Sequence, residues 1–263
     1  MPVIFRLTHQ IVAVVCATFA TVSICRASEV LEEIIEQNYP ITPTAKFSLR
    51  NDDGSVRIYG ADISEMKLQA IKKAYTRERL GRIAVGISVK PEEIKIDTSF
   101  PPKQKWGLGD RSGTVDYVIV LPWRCDIEQV RLANGEMLVD GMRGAYVHAR
   151  LGRGRFFGHN CFTDLHTAVE HGALDVAYEW WENRRFALGA KIQQGNARVV
   201  IPSDAQFRIH AQCADGNVFS DFTNDDRGAA GQPKFDLVVG AAPNSEMNIR
   251  AIDGSIRIME ENP

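Results

Sequence analysis

A short sequence pattern that begins with glycine recurs along most of the chain and limits which folds the chain can adopt. In each copy the glycine is followed by two apolar residues that are separated by one other residue, as in Gly54-Ser-Val56-Arg-Ile58. Strict alternation of this kind is typical of a β-strand with one buried face. Most copies follow a second alternating run, so the predicted unit is strand, short turn, glycine and strand. The leading glycines of this pattern are Gly54, Gly113, Gly135, Gly172, Gly195 and Gly254.

The spacing of these glycines is nearly regular in the C-terminal half. Positions 135, 154, 172, 195 and 216 are separated by steps of 19, 18, 23 and 21 residues, and the next step, to 254, is 38. A step of this length holds two short strands and two turns but no helix. Phe235, Leu237 and Val239 are predicted to form the strand between the last two glycines. Such units bury their apolar sides only by stacking, as in a β-solenoid.

The predicted fold is therefore all-β: a β-solenoid or flattened β-roll of ~20-residue coils, with a less regular N-terminal β region. The alternative is a β-sandwich of hairpins, in which consecutive strands pair; a solenoid pairs each strand with the strand one coil later. Residues 28–122 are predicted to be the N-terminal region and residues 123–263 the glycine-led repeats, within one continuous domain. Caps over the exposed strand edges are expected at 28–40 and 255–263.

Helical patterns are weak. Apolar residues between 30 and 35 fit a helical stripe that Pro40 ends. Residues 75–82 predict either one helical turn or a charged linker. Residues 221–234, rich in Asp, Asn, Gly and Ala, predict a protruding loop.

The N-terminus has the pattern of a secretory signal peptide. Arg6 and His9 precede an uncharged run over 11–25, which is too short to span a bilayer as an unaided helix. Small residues then allow cleavage after Ala27, so residues 1–27 are predicted to be removed. We expect an exported protein in the periplasm or at the cell surface, with no membrane span after removal of the signal. A net charge of −2 excludes a strongly basic nucleic-acid binder, and no nucleic-acid partner is predicted.

Three cysteines remain in the predicted mature chain. Cys125, Cys161 and Cys213 lie far apart, in strand-like contexts. One pair could form a disulfide in an oxidising compartment and leave one odd thiol. The strand-like contexts favour buried free thiols that act as small apolar residues.

Several segments occur in the order found in a known family. They are Ile41-Thr-Pro-Thr-Ala-Lys-Phe47-Ser-Leu49, Gly54-Ser-Val56-Arg-Ile58-Tyr-Gly60-Ala-Asp62, Met66-Lys-Leu68-Gln-Ala70-Ile-Lys-Lys-Ala74, Ile94-Lys-Ile96-Asp-Thr98, and Gly113-Thr-Val115-Asp-Tyr117 through Pro122. With the later glycine-led repeats, they resemble the DUF4097 family of adhesin-like proteins over about residues 40–260. The resemblance implies a β-solenoid-like fold and an exported, adhesin-like role. It supplies no catalytic residues, because none is established for the family.

The chain departs from that family pattern in a segment rich in potential metal ligands, which are His159, Cys161, Asp164, His166 and His171. Structural zinc sites usually contain closely paired cysteines, and only one cysteine is present here. We therefore predict no metal site and no cofactor. A nucleophilic Cys161 would need a lowered pKa, an oriented base and oxyanion donors, and the sequence indicates none of them.

The best candidate for surface recognition is the segment that contains Trp180, Trp181, Arg184 and Arg185. Adjacent residues of a strand point to opposite faces, so one tryptophan would be buried and the other exposed. An exposed tryptophan flanked by arginine suits stacking on a sugar ring or a hot spot for a protein partner. The alternative is that these residues cap the core at a corner of the fold.

The sequence thus predicts an exported, non-catalytic, adhesin-like or envelope interaction protein that presents a repetitive β surface to a polysaccharide or protein partner. One alternative is a carbohydrate-active enzyme on a solenoid face, although the acidic residues are spread out rather than clustered. Another is an accessory module of an envelope sensor. Repeat folds favour extended binding faces over pockets, so the enzyme ranks last.

Overall fold

The computed structural model describes residues 29–102, 112–222 and 231–261, and it is all-β. Within these ranges fifteen strands form one open sheet, and one helix, α1 (Arg77–Arg82), follows the third strand. The predicted signal peptide and most of the predicted 221–234 loop lie outside the described residues. The strands are β1 (Leu31–Pro40), β2 (Lys46–Ala61), β3 (Glu65–Ala74), β4 (Ala84–Lys90), β5 (Glu93–Ser99), β6 (Thr114–Pro122), β7 (Asp126–Asp140), β8 (Tyr146–His159), β9 (Asp164–Ala177), β10 (Phe186–Pro202), β11 (Phe207–Asp215), β12 (Val218–Ser220), β13 (Lys234–Val239), β14 (Ser245–Asp253) and β15 (Ile256–Glu261).

Five long strands, β2 and β7 to β10, continue through a leading glycine instead of turning there. The glycine divides each of them into a first arm and a second arm. In β8 the buried side chains are Val147, Ala149 and Leu151 before Gly154, and Phe156 after it. Burial therefore changes from odd to even positions at the glycine, and both arms contribute to one hydrophobic cluster. The predicted strand–turn–strand unit is wrong for these segments, because the chain stays in the sheet through the glycine.

The pairing between long strands is parallel. The parallel ladders place Gly135 beside Gly154, Gly154 beside Gly172, and Gly172 beside Gly195, which joins each strand to the one that follows it along the chain. On the other side, Gly54 of β2 pairs with Gly135. Hairpins pair antiparallel, so these ladders differ from those of the sandwich alternative.

Stacked glycines run across the parallel part of the sheet, from β2 to the turn between β11 and β12, at the level where the two arms meet. In spatial order they are Gly54, Gly135, Gly154, Gly172, Gly195, Gly254 and Gly216, all with φ between 131° and 139°. A Cβ at Gly154 would overlap the carbonyl oxygen of Gly135 on the neighbouring strand. Glycine is required here for both reasons that the sequence indicated, a positive φ and a close approach of two backbones.

The order of the strands at the C-terminal end differs from the order predicted from the glycine spacing. The last two strands, β14 and β15, pair parallel with the first and second arms of β10, and β11 and β12 then pair with β14 and β15. β15 matches six residues of β10, whereas β12 has only three residues, so the longer strand takes the interior position. Short strands are commonly left at sheet edges.

Two further predictions for this end are corrected by the same arrangement. Residues 235–239 do not lie between the last two glycines of the stack, because β13 pairs antiparallel with β11 at the edge of the sheet. The cap predicted at 255–263 is wrong over the part that the structure describes, since β15 (Ile256–Glu261) lies between β10 and β12.

Antiparallel strands form the N-terminal edge of the sheet. β1 is an edge strand paired with β3, so the helical stripe predicted at 30–35 is wrong, and the place where a cap was expected is occupied by this strand over Leu31–Pro40. Two opposed ion pairs stabilise this register: Glu33 with Lys72 at 2.8 Å and Glu32 with Lys73 at 3.4 Å. The helical turn expected within 75–82 is present as α1, where the Thr76 hydroxyl accepts a hydrogen bond from the Arg79 amide.

Two buried tyrosines should respond in opposite ways to loss of their hydroxyl groups. The Tyr117 hydroxyl lies 2.7 Å from Thr98 Oγ1, whereas the Tyr178 hydroxyl finds no hydrogen-bond partner among the described residues. Tyr178→Phe is therefore expected to raise the free energy of unfolding by about 1 kcal/mol, and Tyr117→Phe to lower it by about 1–2 kcal/mol. Urea denaturation of both variants beside the wild type measures the two changes. Equal losses in the two variants would contradict this assignment.

Candidate binding site

The loops that leave the second arms stack on one another. The Arg143 amide donates to the Trp123 carbonyl at 2.7 Å, and the Asn160 amide donates to the Ala177 carbonyl at 2.9 Å. Side chains at equivalent loop positions therefore meet those of the neighbouring loop. Arg143 lies beside Phe162, and Phe162 lies beside Trp180.

Arg143 is the centre of this corner. Its guanidinium carbon lies 5.3 Å from the ring centroid of Trp123 and 5.5 Å from that of Phe162, within the range of cation–π attraction. Its Nε and Nη2 donate to Glu182 Oε1 at 2.9 and 2.6 Å. Nη1 donates to the Gly141 carbonyl at 3.0 Å. The guanidinium of Arg143 therefore holds two aromatic rings and one carboxylate in place.

Trp180 and Arg184 both contact the carboxylate of Glu182, and both are more exposed than Arg143. Trp180 is 45% exposed, and its indole Nε1 donates to Glu182 Oε1 at 3.4 Å. Arg184 Nη1 lies 3.9 Å from Glu182 Oε2. We call this group of six residues the tryptophan corner: Trp123, Arg143, Phe162, Trp180, Glu182 and Arg184.

The other two predicted residues lie elsewhere. The ring of Trp181 packs against the core, 5.2 Å from the centroid of Phe186 and 6.0 Å from that of Phe207. Arg185 is exposed beside the start of β10. One tryptophan is packed and its neighbour is exposed, although residues 178–185 form a loop rather than the strand on which that contrast was predicted.

A shallow groove of about 540 Å³ adjoins the corner. Arginine and tryptophan side chains supply cationic and aromatic contacts along it. Asp126 also lines it, and its Oδ1 accepts a hydrogen bond from the Ala145 amide at 2.7 Å. Its lining includes Thr44, Trp123, Arg124, Asp126, Arg143 and Arg184. Such an open, mixed surface is suited to recognition of a polar partner with flat faces.

Sequence reasoning missed Trp123, Arg143, Phe162 and Glu182. A signal for two of them was present, because Arg143, Phe162 and Trp180 each lie eight residues after a stacked glycine. Reading the repeat beyond its two strands would have placed these three side chains at one level of the stack. Glu182 and Trp123 carry no such periodic signal.

The five potential metal ligands do not come together. Cys161 is buried in the core, whereas His166 and His171 are exposed on first-arm strands. His159 lies between two carboxylates, 3.1 Å from Asp140 and 3.2 Å from Glu179. Across the ranges that the structure describes, no three His, Cys, Asp or Glu side chains are arranged to hold a metal.

The three cysteines are buried free thiols. Burial raises the pKa of Cys161 and of Cys125 to about 12, and it also raises the pKa of Cys213. The Cys161 thiol donates to the Val139 carbonyl at 3.3 Å. At neutral pH these groups are protonated, which is the opposite of the thiolate that a nucleophile requires.

Comparison with solved structures shows what the fold resembles. The chain is similar to a protein from Clostridium sporogenes that is provisionally named a cell adhesion protein, with a TM-score of 0.54 and 19% identity over 89% of this chain and 100% of that one. At this identity the likeness shows the fold alone.

Two other similar structures have TM-scores too low to carry an argument. One, provisionally named an adhesin, is from Bacteroides fragilis, with a TM-score of 0.30 and 10% identity over 86% of this chain and 97% of that one. The other, provisionally named a lipid-binding protein, is from Parabacteroides distasonis, with a TM-score of 0.34 and 11% identity over 88% of this chain and 97% of that one.

No family model matches the chain, so the resemblance to DUF4097 stays a prediction. No curated protein matches it either. Within the described ranges, none of the helical structure is long and apolar enough to cross a membrane.

Proposed function

We propose that the chain is an exported, non-catalytic, adhesin-like protein of the cell envelope, built as a solenoid-like stack of coils. In this proposal 1–27 is a removable signal peptide, and residues 28–122 and 123–263 are parts of one continuous domain. The observation that carries the proposal is the register of the parallel ladders, which places equivalent residues of successive repeats side by side. An extended face of this kind suits a long partner better than a small substrate.

The tryptophan corner, which lies on the stacked loops and not on the strands, also supports a recognition role. Trp180 offers a partly exposed ring, and its position is fixed by contacts with Phe162 and Glu182. A rigid ring of this kind loses little conformational entropy on binding, and Arg184 adds a cation beside it. The fold of the Clostridium sporogenes protein is consistent with this role.

Binding of the purified protein to cell-envelope fractions and to a panel of polysaccharides tests the proposal. Saturable binding is expected, and Trp180→Ala is expected to weaken it by roughly tenfold or more, as is usual for an aromatic hot spot. Trp181→Ala is the matched control, because its effect should be a loss of stability of about 3 kcal/mol rather than a direct loss of contact.

The possible outcomes distinguish an error in the proposed binding site from an error in the proposed role of the protein. Binding that survives Trp180→Ala, in a variant that unfolds at the wild-type midpoint, would remove the corner from the proposal but keep the adhesin-like role. Failure to bind any fraction or polysaccharide would reject the role itself.

A further inference from the structure

A row of cationic side chains crosses the outer face of the first arms. Arg50, Arg131 and Arg150 are neighbours in the parallel ladders of β2, β7 and β8. Ala168 of β9 comes next, and Lys191 of β10 and Arg250 of β14 follow. All five cations are exposed, and each lies four residues before a stacked glycine. We call Arg50, Arg131, Arg150, Lys191 and Arg250 the cationic row.

The geometry of the sheet fixes the spacing of these charges. Neighbouring strands lie about 4.8 Å apart, so the row from β2 to β14 is roughly 24 Å long. Within the described part of the chain none of the five forms an ion pair, although Arg250 Nε donates to Asn248 Oδ1 at 3.2 Å. The row concentrates positive charge on one face of a chain whose net charge is −2.

Two open grooves follow the row and share Arg150 and Ala168. The first, of about 620 Å³, contains Arg153 and His171 in addition to three arginines of the row. The second, of about 580 Å³, contains His148 and His166 beside Lys191 and Arg250. Acidic side chains are fewer in both: Asp52 and Glu170 line the first groove and Glu128 the second.

The arrangement costs stability, because like charges placed directly opposite each other on neighbouring strands repel. Arg131 has an arginine on both sides, Arg50 and Arg150. Repulsion of this kind is relieved when an anion lies along the row. A local cost with no compensating ion pair is typical of a functional surface.

The side chains next to the cationic row indicate which class of partner it can bind. Imidazole and amide groups lie next to the row, among them His148, His166 and Asn248, and can exchange hydrogen bonds with hydroxyl groups. Among the described residues, no tryptophan or phenylalanine lines either groove, although proteins commonly stack single-stranded bases on such rings. The aromatic rings beside the row lie against one another, with centroids 5.2 Å apart for Tyr146 and His148 and 5.4 Å apart for His148 and His166.

We propose that the cationic row binds a linear anionic polysaccharide laid across the strands, with its carboxylate or sulfate groups on the arginine and lysine side chains. This inference rests on the proposed envelope role and specifies the partner's charge and shape. Imidazole and amide groups beside the row then contact the sugar hydroxyls.

The test measures binding of the purified protein to heparin and to polygalacturonate, with dextran as the neutral control polymer and with phosphatidylglycerol vesicles and oligothymidylate as anionic ligands of other classes. The double variant Arg131→Gln, Arg150→Gln is expected to bind both anionic polymers roughly tenfold more weakly at low salt, and added salt should weaken wild-type binding. Ala168→Lys fills the gap in the row and is expected to bind roughly threefold more tightly.

The matched control is Arg57→Gln, Arg257→Gln, which makes the same change of net charge on the outer face of the second arms, where both residues are exposed. This variant should bind within about twofold of wild type. Thermal unfolding of every variant shows that the fold is retained, and the row variant should unfold at or above the wild-type midpoint.

Three results would overturn the inference. The first is binding to heparin and polygalacturonate no tighter than to dextran. The second is equal weakening by the row and control variants, which would indicate unspecific charge attraction. The third is binding only to phosphatidylglycerol vesicles or to oligothymidylate, which would assign the row to a membrane or to a nucleic acid. If envelope fractions still bind in any of these cases, the adhesin-like role stands without this site.

Discussion

Replacing Gly154 by alanine is expected to prevent most of the protein from reaching its native fold. Gly154 has a φ of 133°, which alone costs a non-glycine residue about 1–3 kcal/mol. The added Cβ would overlap the Gly135 carbonyl oxygen, a backbone atom that cannot move without opening the ladder. The combined loss should be about 4 kcal/mol or more, a large part of the stability of a typical domain. Soluble yield and urea denaturation measure it.

Gly81→Ala is the matched control for this substitution. A Cβ at Gly81 meets nothing within 4 Å, and the residue lies in α1, where alanine favours helix. The variant should be as stable as the wild type or more stable by up to about 1 kcal/mol. Similar losses in the two variants would show that the stacked glycines have no special role.

Ending the chain after Asn244 is expected to disrupt far more than the last strands. The deletion removes β14 and β15, and with them four fully buried side chains: Met247, Ile249, Ile256 and Ile258. At about 1.5–3 kcal/mol each, these account for roughly 6–12 kcal/mol, close to the total stability of a typical domain. The deletion also leaves β10 and β11 without their shared neighbour. The truncated protein should be insoluble or unfolded by circular dichroism.

A chain that begins at Ile41 provides the comparison. It lacks β1, an edge strand whose contacts with the core are made by the half-buried Leu31, Ile35 and Tyr39. We expect this variant to fold with reduced stability. If the C-terminal truncation were tolerated equally well, the interior position of β14 and β15 would be wrong.

The periodic features of this fold could be predicted from the sequence because they are local. Alternation on both sides of Gly154 identifies buried strands, and the step between glycines predicts which residues pair. The course of the chain at the glycine could not be predicted, because turn and bent strand both use a positive φ. Whether the chain turns or continues as a bent strand is decided by backbone pairing with the neighbouring strands.

The misplaced elements depend on competition between distant segments. Either β12 or β15 satisfies the alternating pattern, and only the fit to the second arm of β10 decides which lies inside. Likewise, the apolar residues of β1 fit a helix on periodicity alone, but pairing with β3 places them in a strand.

In the candidate sites, too, local features could be predicted from the sequence and contacts between distant residues could not. The contrast between Trp180 and Trp181 was predicted from alternation along a strand, but residues 178–185 form a loop, so the packing of Trp181 against the core, and not alternation, produces it. The contacts of Arg143 with Trp123 and Glu182 join residues 20 and 39 positions apart, so no local pattern reveals them. The cationic row was visible in principle as a basic residue four positions before five of the seven stacked glycines.

The interior position of the last two strands also imposes an order on biosynthesis. A nascent chain that has been made as far as β12 can complete its parallel ladders only up to β10, because the neighbour that β11 requires is β14. Domains generally fold as units once their contacts are available, and here contacts essential to the stack are supplied by β14 and β15. The growing polypeptide is therefore expected to remain incompletely folded until β14 and β15 have been made, a condition under which it can still be threaded through a narrow channel.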